Sequence, residues 1–197
     1  MMAPPLDQDI QEVLFDEATL QRRVRELAVE LERDYAGLRP LLVGMLRGSV
    51  YFLADLSRAL RIPHEIDFMA IAAYGSRHAA TGAVRLLKDL DEEITDQHVV
   101  LVEDIVDTGL TAAYLTRLLR ARRPASLVIC TLLDKRTRRI APNLPLAYVG
   151  FEVPDRFVVG YGLDYRQLYR NLPYIGVLRD EVLAEEPSPG TPTPSGP

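Results

Sequence analysis

The chain has 197 residues, 48% of them hydrophobic and 26% charged, enough apolar mass for one globular domain with a substantial core. Its net charge of -5 provides no general field for a nucleic acid, and a single cysteine excludes an internal disulfide. No apolar run approaches the length of a membrane span, and Met1 to Leu6 lacks the basic and apolar regions of a signal peptide, so a cytoplasmic protein is expected.

In chain order, Leu20, Val24, Leu27, Leu31 and Tyr35 recur at helical spacing, which predicts a first helix over about residues 17–36. Leu41-Leu42-Val43-Gly44-Met45 reads as a buried strand ending in Leu46-Arg47-Gly48-Ser49, and Val50 to Leu60 reads as the helix that follows. Ile66 to Ala73 and Val84 to Leu87 read as two antiparallel strands, and the small, polar stretch from Tyr74 to Gly82 between them is expected to form a mobile flap. Val99 to Val102 is again apolar and β-branched, and from Gly109 the pattern turns helical, so a second strand, loop and helix repeat the design of the first. Leu127 to Leu132 is a further buried strand, in which Cys130 is expected to be a core residue. The arginine-rich loop Arg136 to Arg139 and a compact segment from Tyr148 to about Val182 follow. From Glu185 the chain reads EEPSPGTPTPSGP, which cannot supply a core and is expected to be disordered. The expected organisation is one α/β domain over residues 1–184 and a Pro-rich tail over 185–197.

The chemistry concentrates in Val99 to Thr111, VVLVEDIVDTGLT. Open α/β sheets bind ligands at the carboxyl ends of their strands. In Asp107-Thr108-Gly109-Leu110-Thr111 the glycine lets the backbone come close, two threonines offer hydroxyls, and free N–H groups of the helix start point outward, an anion cradle suited to a phosphate monoester. Ionised, Glu103 and Asp104 only accept hydrogen bonds, so they suit a metal or a ligand that brings donors, such as the vicinal hydroxyls of a ribose 5-phosphate. Asp107 suits a helix N-cap as well as a ligand contact. This stretch resembles the phosphoribosyl pyrophosphate signature of the type I phosphoribosyltransferases. Leu46, Arg47, Gly48 and Ser49 offer a second anion site in a loop of the same kind. In the family that loop binds pyrophosphate, often with a non-proline cis peptide, which the resemblance puts between Leu46 and Arg47.

Gly150 to Tyr165, GFEVPDRFVVGYGLDY, is similar to the hood of the hypoxanthine-guanine branch of that family, as is Leu133-Asp134-Lys135-Arg136. The resemblance implies the type I phosphoribosyltransferase fold: a central, mainly parallel sheet flanked by helices, a mobile flap, and a small hood built from the N-terminus and about residues 148–182. It implies purine salvage, in which the 5-phosphoribosyl group of phosphoribosyl pyrophosphate passes to hypoxanthine or guanine, giving IMP or GMP and pyrophosphate. Lys135, one of only two lysines beside Lys88, would donate to the 6-oxo group, Phe157 would stack on the purine, and the main chain at Val158 would face its exocyclic edge. Asp164, also expected to line the purine site, would bind Mg2+ on the pyrophosphate side, with Glu103 and Asp104 as the other metal ligands, and Arg170 would reach the pyrophosphate. Asp107 would lie near N7 of the base, to take its proton or to hold it by a hydrogen bond. The flap would close from Ala73 and Tyr74, where many relatives carry Ser-Tyr. His64, His78 and His98 share no ligand spacing and are assigned no metal. A homodimer or homotetramer acting on small molecules, without nucleic acid or membrane, is expected; a xanthine preference or a gene-regulatory role are the alternatives.

Overall fold

The computed structural model describes residues 6–73, 84–141 and 143–184. Asp16 opens the first helix as an N-cap, its Oδ1 accepting from the Thr19 N–H at 2.8 Å. That helix, α1 (Glu17–Asp34), follows strand β1 (Ile10–Phe15). It stops two residues short of the expected end because Gly37, with φ +75°, turns the chain away. Next come β2 (Leu41–Leu46), α2 (Val50–Ala59), β3 (Glu65–Ala73), β4 (Val84–Lys88), β5 (His98–Val106) and α3 (Leu110–Arg120). The chain continues through β6 (Ser126–Asp134), β7 (Leu146–Glu152), β8 (Val158–Val159), β9 (Ile175–Leu178) and α4 (Asp180–Ala184).

Six strands form one sheet in the order β4-β3-β2-β5-β6-β7, parallel except for the β3–β4 pair. Parallel strands covered on both faces read as continuous apolar runs, as β2 and the first half of β5 do. On one face Leu20, Val24, Leu27 and Leu31 of α1 and Phe52, Leu53 and Leu56 of α2 pack with Leu42, Val100, Val102 and Leu132. On the other, Leu115 and Leu119 of α3 pack with Val43, Leu101 and Ile129. Cys130 is fully buried in the first of these cores, as expected of a structural thiol.

A second sheet, β1-β9-β8, is wholly antiparallel. The segment expected to build the hood from about residue 148 therefore divides: residues up to Glu152 belong to β7, the edge of the central sheet, and the small sheet takes β8 and β9 from it. The N-terminal strand β1, hidden in the sequence by the exposed Gln11 and Glu12, completes that sheet against β9. Tyr74 and the rest of the expected flap, and the tail over 185–197, lie outside the described residues. No helix among the described residues is long and apolar enough to cross a membrane.

Candidate active site

Strand order runs outward in both directions from the β2–β5 pair, so the crevice beyond their carboxyl ends is a topological switch point. The two loops singled out in the sequence both emerge there. After β2 comes Leu46-Arg47-Gly48-Ser49, with a cis peptide joining Leu46 and Arg47. After β5 comes Asp107-Thr108-Gly109. Gly109, not Asp107, is the N-cap of α3; its φ of +78° is left-handed, and a Cβ there would lie 2.9 Å from Leu144 Cδ1. Asp107 is thereby free of a capping role. The loop is clamped from behind by the Ile140 and Ala141 N–H groups, which donate to the Thr108 carbonyl at 2.9 and 3.2 Å. Thr108 Oγ1 accepts from the Leu110 N–H at 3.5 Å, and Leu110 and Thr111 are exposed at the start of α3. Buried Ser49 turns inward, its hydroxyl donating to the Met45 carbonyl at 2.8 Å. It offers no hydroxyl to a ligand, and the loop keeps its backbone and Arg47 for that purpose.

Glu103 and Asp104 lie inside β5, not in the loop beyond it. Glu103 is buried and its Oε1 has no partner; burial, then the charge of Asp104, pushes its carboxyl well above the usual range. Asp104 Oδ1 accepts from the Ile105 N–H at 2.9 Å, and burial raises its pKa from 3.8 to about 6. Around Asp104 the packing is close: a Cβ on Gly48 would fall 1.6 Å from Asp104 Oδ2, and one on Gly162 would fall 2.0 Å from the Gly48 carbonyl. Asp164 accepts from Arg170 Nη2 at 2.7 Å and from the Gln167 N–H at 2.8 Å. Its charge raises, and that of Arg170 lowers, the Asp104 pKa, which ties these groups into one electrostatic site. Among the described residues no three His, Cys, Asp or Glu side chains gather as a self-sufficient metal site, so a cation here would need ligand oxygens as well.

The raised Asp104 has a consequence for stability. Between pH 4 and about 6 the folded protein holds a proton that the unfolded chain, at its ordinary 3.8, has already released. Stability from this group therefore falls as pH rises through that window. Asp104→Asn should flatten the decline in thermal midpoint between pH 4.5 and 6.5; an unchanged slope would mean that Asp104 is not the group responsible.

On the other side of the cradle, Lys135 follows β6 and is buried, with its side chain 6% exposed and its N–H donating to the Val106 carbonyl at 2.9 Å. Its Nζ lies 3.4 Å from Asp107 Oδ2 and 3.8 Å from Asp155 Oδ1. Arg138 closes the square, with Nε 3.2 Å from Asp107 Oδ1 and Nη1 3.2 Å from Asp155 Oδ1. A surface role for Lys135 is thus excluded, whereas Lys88 makes ion pairs with Asp67 and Asp91 on β3 and the following turn. Phe157 is 40% exposed and held edge-on against Tyr165, centroids 5.4 Å apart. The side chain of Val158 is buried, but β8 is an edge strand, so one side of its backbone carries no strand partner.

Asp107 and Lys135 thus meet directly, and Asp104, Asp164, Arg170, Gly48 and Arg47 gather across the crevice. Arg138, Asp155 and Gln167 belong to these clusters and were not picked out from the sequence. The arginine-rich run around Arg138 was visible there, but nothing local marks which arginine turns to Asp107.

The profile of the phosphoribosyl transferase domain family matches residues 11–166. A hypoxanthine phosphoribosyltransferase of Salmonella typhimurium is 49% identical over 174 residues, covering 86% of this chain and 97% of the relative. A hypoxanthine-guanine phosphoribosyltransferase of Bacillus subtilis is 47% identical over 174 residues, covering 88% and 96%. The crystal structure of a hypoxanthine phosphoribosyltransferase from Staphylococcus aureus superposes with a TM-score of 0.88 at 44% identity, covering 94% of this chain and all of that one. With a mainly parallel sheet, a crevice at its switch point and this likeness along most of its length, the chain belongs to the hypoxanthine-guanine branch of the phosphoribosyltransferase family.

Proposed function

We propose that the protein serves purine salvage, transferring the 5-phosphoribosyl group of phosphoribosyl pyrophosphate to hypoxanthine or guanine and releasing pyrophosphate with IMP or GMP. The observation that carries this reading is a buried lysine, Lys135, 3.4 Å from Asp107 at the rim of a helix-start anion cradle. A lysine only donates, and a 6-oxopurine presents the carbonyl acceptor that such a donor needs in a desolvated place. The test is product formation from phosphoribosyl pyrophosphate with hypoxanthine, guanine and xanthine offered singly and in competition. IMP and GMP are the expected products, and failure to form either would end the reading.

In this reading Thr108, Gly109, Leu110 and Thr111 bind the ribose 5-phosphate through the N–H groups of the α3 start and the threonine hydroxyls. Leu46, Arg47, Gly48 and Arg170 bind the pyrophosphate. Glu103 and Asp104 accept from the ribose hydroxyls, consistent with the unpartnered Glu103 Oε1. Oxygen-only donors beside a phosphate site fit magnesium, which Glu103, Asp104 and Asp164 would hold together with substrate oxygens. When bound, it supplies charge neutralisation for the departing pyrophosphate.

Cleavage of the anomeric C–O bond runs ahead of C–N bond formation and gives an oxocarbenium-like transition state. Arg47 and Arg170 stabilise the charge that develops on the leaving group. Phe157 stacks on the purine, Lys135 donates to O6, and the free edge of Val158 faces the exocyclic substituent. Asp107 accepts or holds the N7 proton as N9 attacks. A cytoplasmic homodimer or homotetramer completes the proposal, with light scattering as the measurement of its size.

Lys135→Ala should raise the KM for hypoxanthine about tenfold or more, the scale of a hydrogen bond to a charged group. Binding of phosphoribosyl pyrophosphate without base should change little. A hypoxanthine KM equal to the parent's would remove Lys135 from the purine site.

A further inference from the structure

We propose that Gln167 is a positioning residue for the pyrophosphate, its amide oxygen setting Arg47 and Arg170 together as a two-pronged anion clamp. Gln167 Oε1 accepts from Arg47 Nη1 at 3.3 Å and from Arg170 Nη2 at 3.2 Å. Its own N–H donates to Asp164 Oδ2 at 2.8 Å, which anchors the bridge to the third charged group of the cluster. Arg170 is held again from behind, Nη1 donating to the Gly162 carbonyl at 2.6 Å. Arg47 has no ion pair among the described residues, so Gln167 is what ties its guanidinium to the C-terminal half of the site.

Two guanidiniums donating to one oxygen repel each other; Asp164 offsets the charge of Arg170, whereas the amide holds Arg47 without neutralising it. Such an arrangement is offset when a polyanion arrives between them. Bidentate N–H donors in fixed directions suit phosphate oxygens. The backbone points the same way: Gln167 has φ +67°, in the left-handed region that non-glycine residues seldom adopt, with Arg166 at +53° and Tyr169 at +72° beside it. That conformation, closed by the Asp164 carboxylate, turns the exposed amide back across the crevice to a loop 120 residues away in the chain.

The inference rests on the phosphoribosyl-transfer reading for the identity of the anion. Gln167→Ala and Gln167→Met both keep a Cβ at the left-handed position and both lack the acceptor oxygen, but only Met keeps the length of the side chain. For Gln167→Ala the KM for phosphoribosyl pyrophosphate should rise about five- to tenfold, as should the inhibition constant of pyrophosphate. The KM for hypoxanthine should stay within about twofold, and kcat should fall less than the pyrophosphate-side constants rise. Gln167→Met, uncharged and of similar length but without an oxygen acceptor, should show the same rise as Gln167→Ala. A phosphoribosyl pyrophosphate KM for Gln167→Ala within twofold of the parent would overturn the proposal. So would parental constants in Gln167→Met, or an equal rise in both KM values with a lowered melting temperature, which would make the residue a space filler or a turn former only. Calorimetric titration of inorganic pyrophosphate into parent and Gln167→Ala, with magnesium, reads the clamp without catalysis. It therefore separates the two ideas: weaker pyrophosphate binding by the variant supports the clamp even for a parent that forms no nucleotide, and equal binding refutes it.

Discussion

Replacing Asp107 by alanine is expected to lower kcat by about 10²-fold or more, the usual scale for a positioned proton acceptor, with a much smaller effect on the KM for phosphoribosyl pyrophosphate. The structure removes the main competing explanation of such a loss. Asp107 does not cap α3, because Gly109 occupies that position and the side-chain oxygen that bonds the first turn is Thr108 Oγ1. Its carboxylate is 38% exposed and lies between Lys135 Nζ, at 3.4 Å, and Arg138 Nε, at 3.2 Å. Alanine does leave the buried Lys135 with Asp155, at 3.8 Å, as its one remaining carboxylate among the described residues, so some stability is lost as well. Asp107→Asn separates the two effects: it keeps an oxygen for Lys135 but cannot receive a proton, and its kcat should fall nearly as far while its melting temperature stays closer to the parent's. If both variants turned over within a few-fold of the parent, Asp107 would have no part in the chemical step.

Gly48→Ala should have an effect of similar size through a different route. The new Cβ would fall 1.6 Å from Asp104 Oδ2 and 2.5 Å from its Cγ. Retreat of the loop is blocked, because the Gly48 carbonyl already lies where a Cβ on Gly162 would be, at 2.0 Å. A carboxylate can rotate more readily than two backbone segments can separate, so Asp104 swings aside and the fold survives. Activity then suffers more than stability. Displacing a substrate-positioning group by about 1 Å can cost on the order of 10²-fold, and that is the loss expected in kcat/KM for phosphoribosyl pyrophosphate. Steady-state kinetics with a melting curve on the same sample check it. Near-parental efficiency would show that the Gly48–Asp104 approach has no role in the site.

The sequence by itself determined the two strand-loop-helix units around Leu46–Ser49 and Asp107–Thr111. Buried parallel strands are written as apolar runs, helices as a 3.6-residue period, and a left-handed turn as a glycine, so each signal lies within a few neighbouring residues. The candidate Asp107, the cradle after it and the unusual Lys135 were legible for the same reason. Tertiary structure alone decided which side chains meet. β1 finds its place only by pairing with β9, whose residues are 160 or more positions later, and its own exposed Gln11 and Glu12 blur the alternation of a half-buried strand. The strand assignment of Glu103 and Asp104, and with it the burial that raises both carboxyls, depends on neighbours in β6 and the loop at Gly48. Gln167 joins Arg47 to Arg170 across 120 residues, and Arg138 is chosen among its neighbouring arginines because Asp107 and Asp155 converge on it. Local pattern reports the backbone's preference, whereas the reach of a long polar side chain is set by sheet order and register, which no short window of sequence contains.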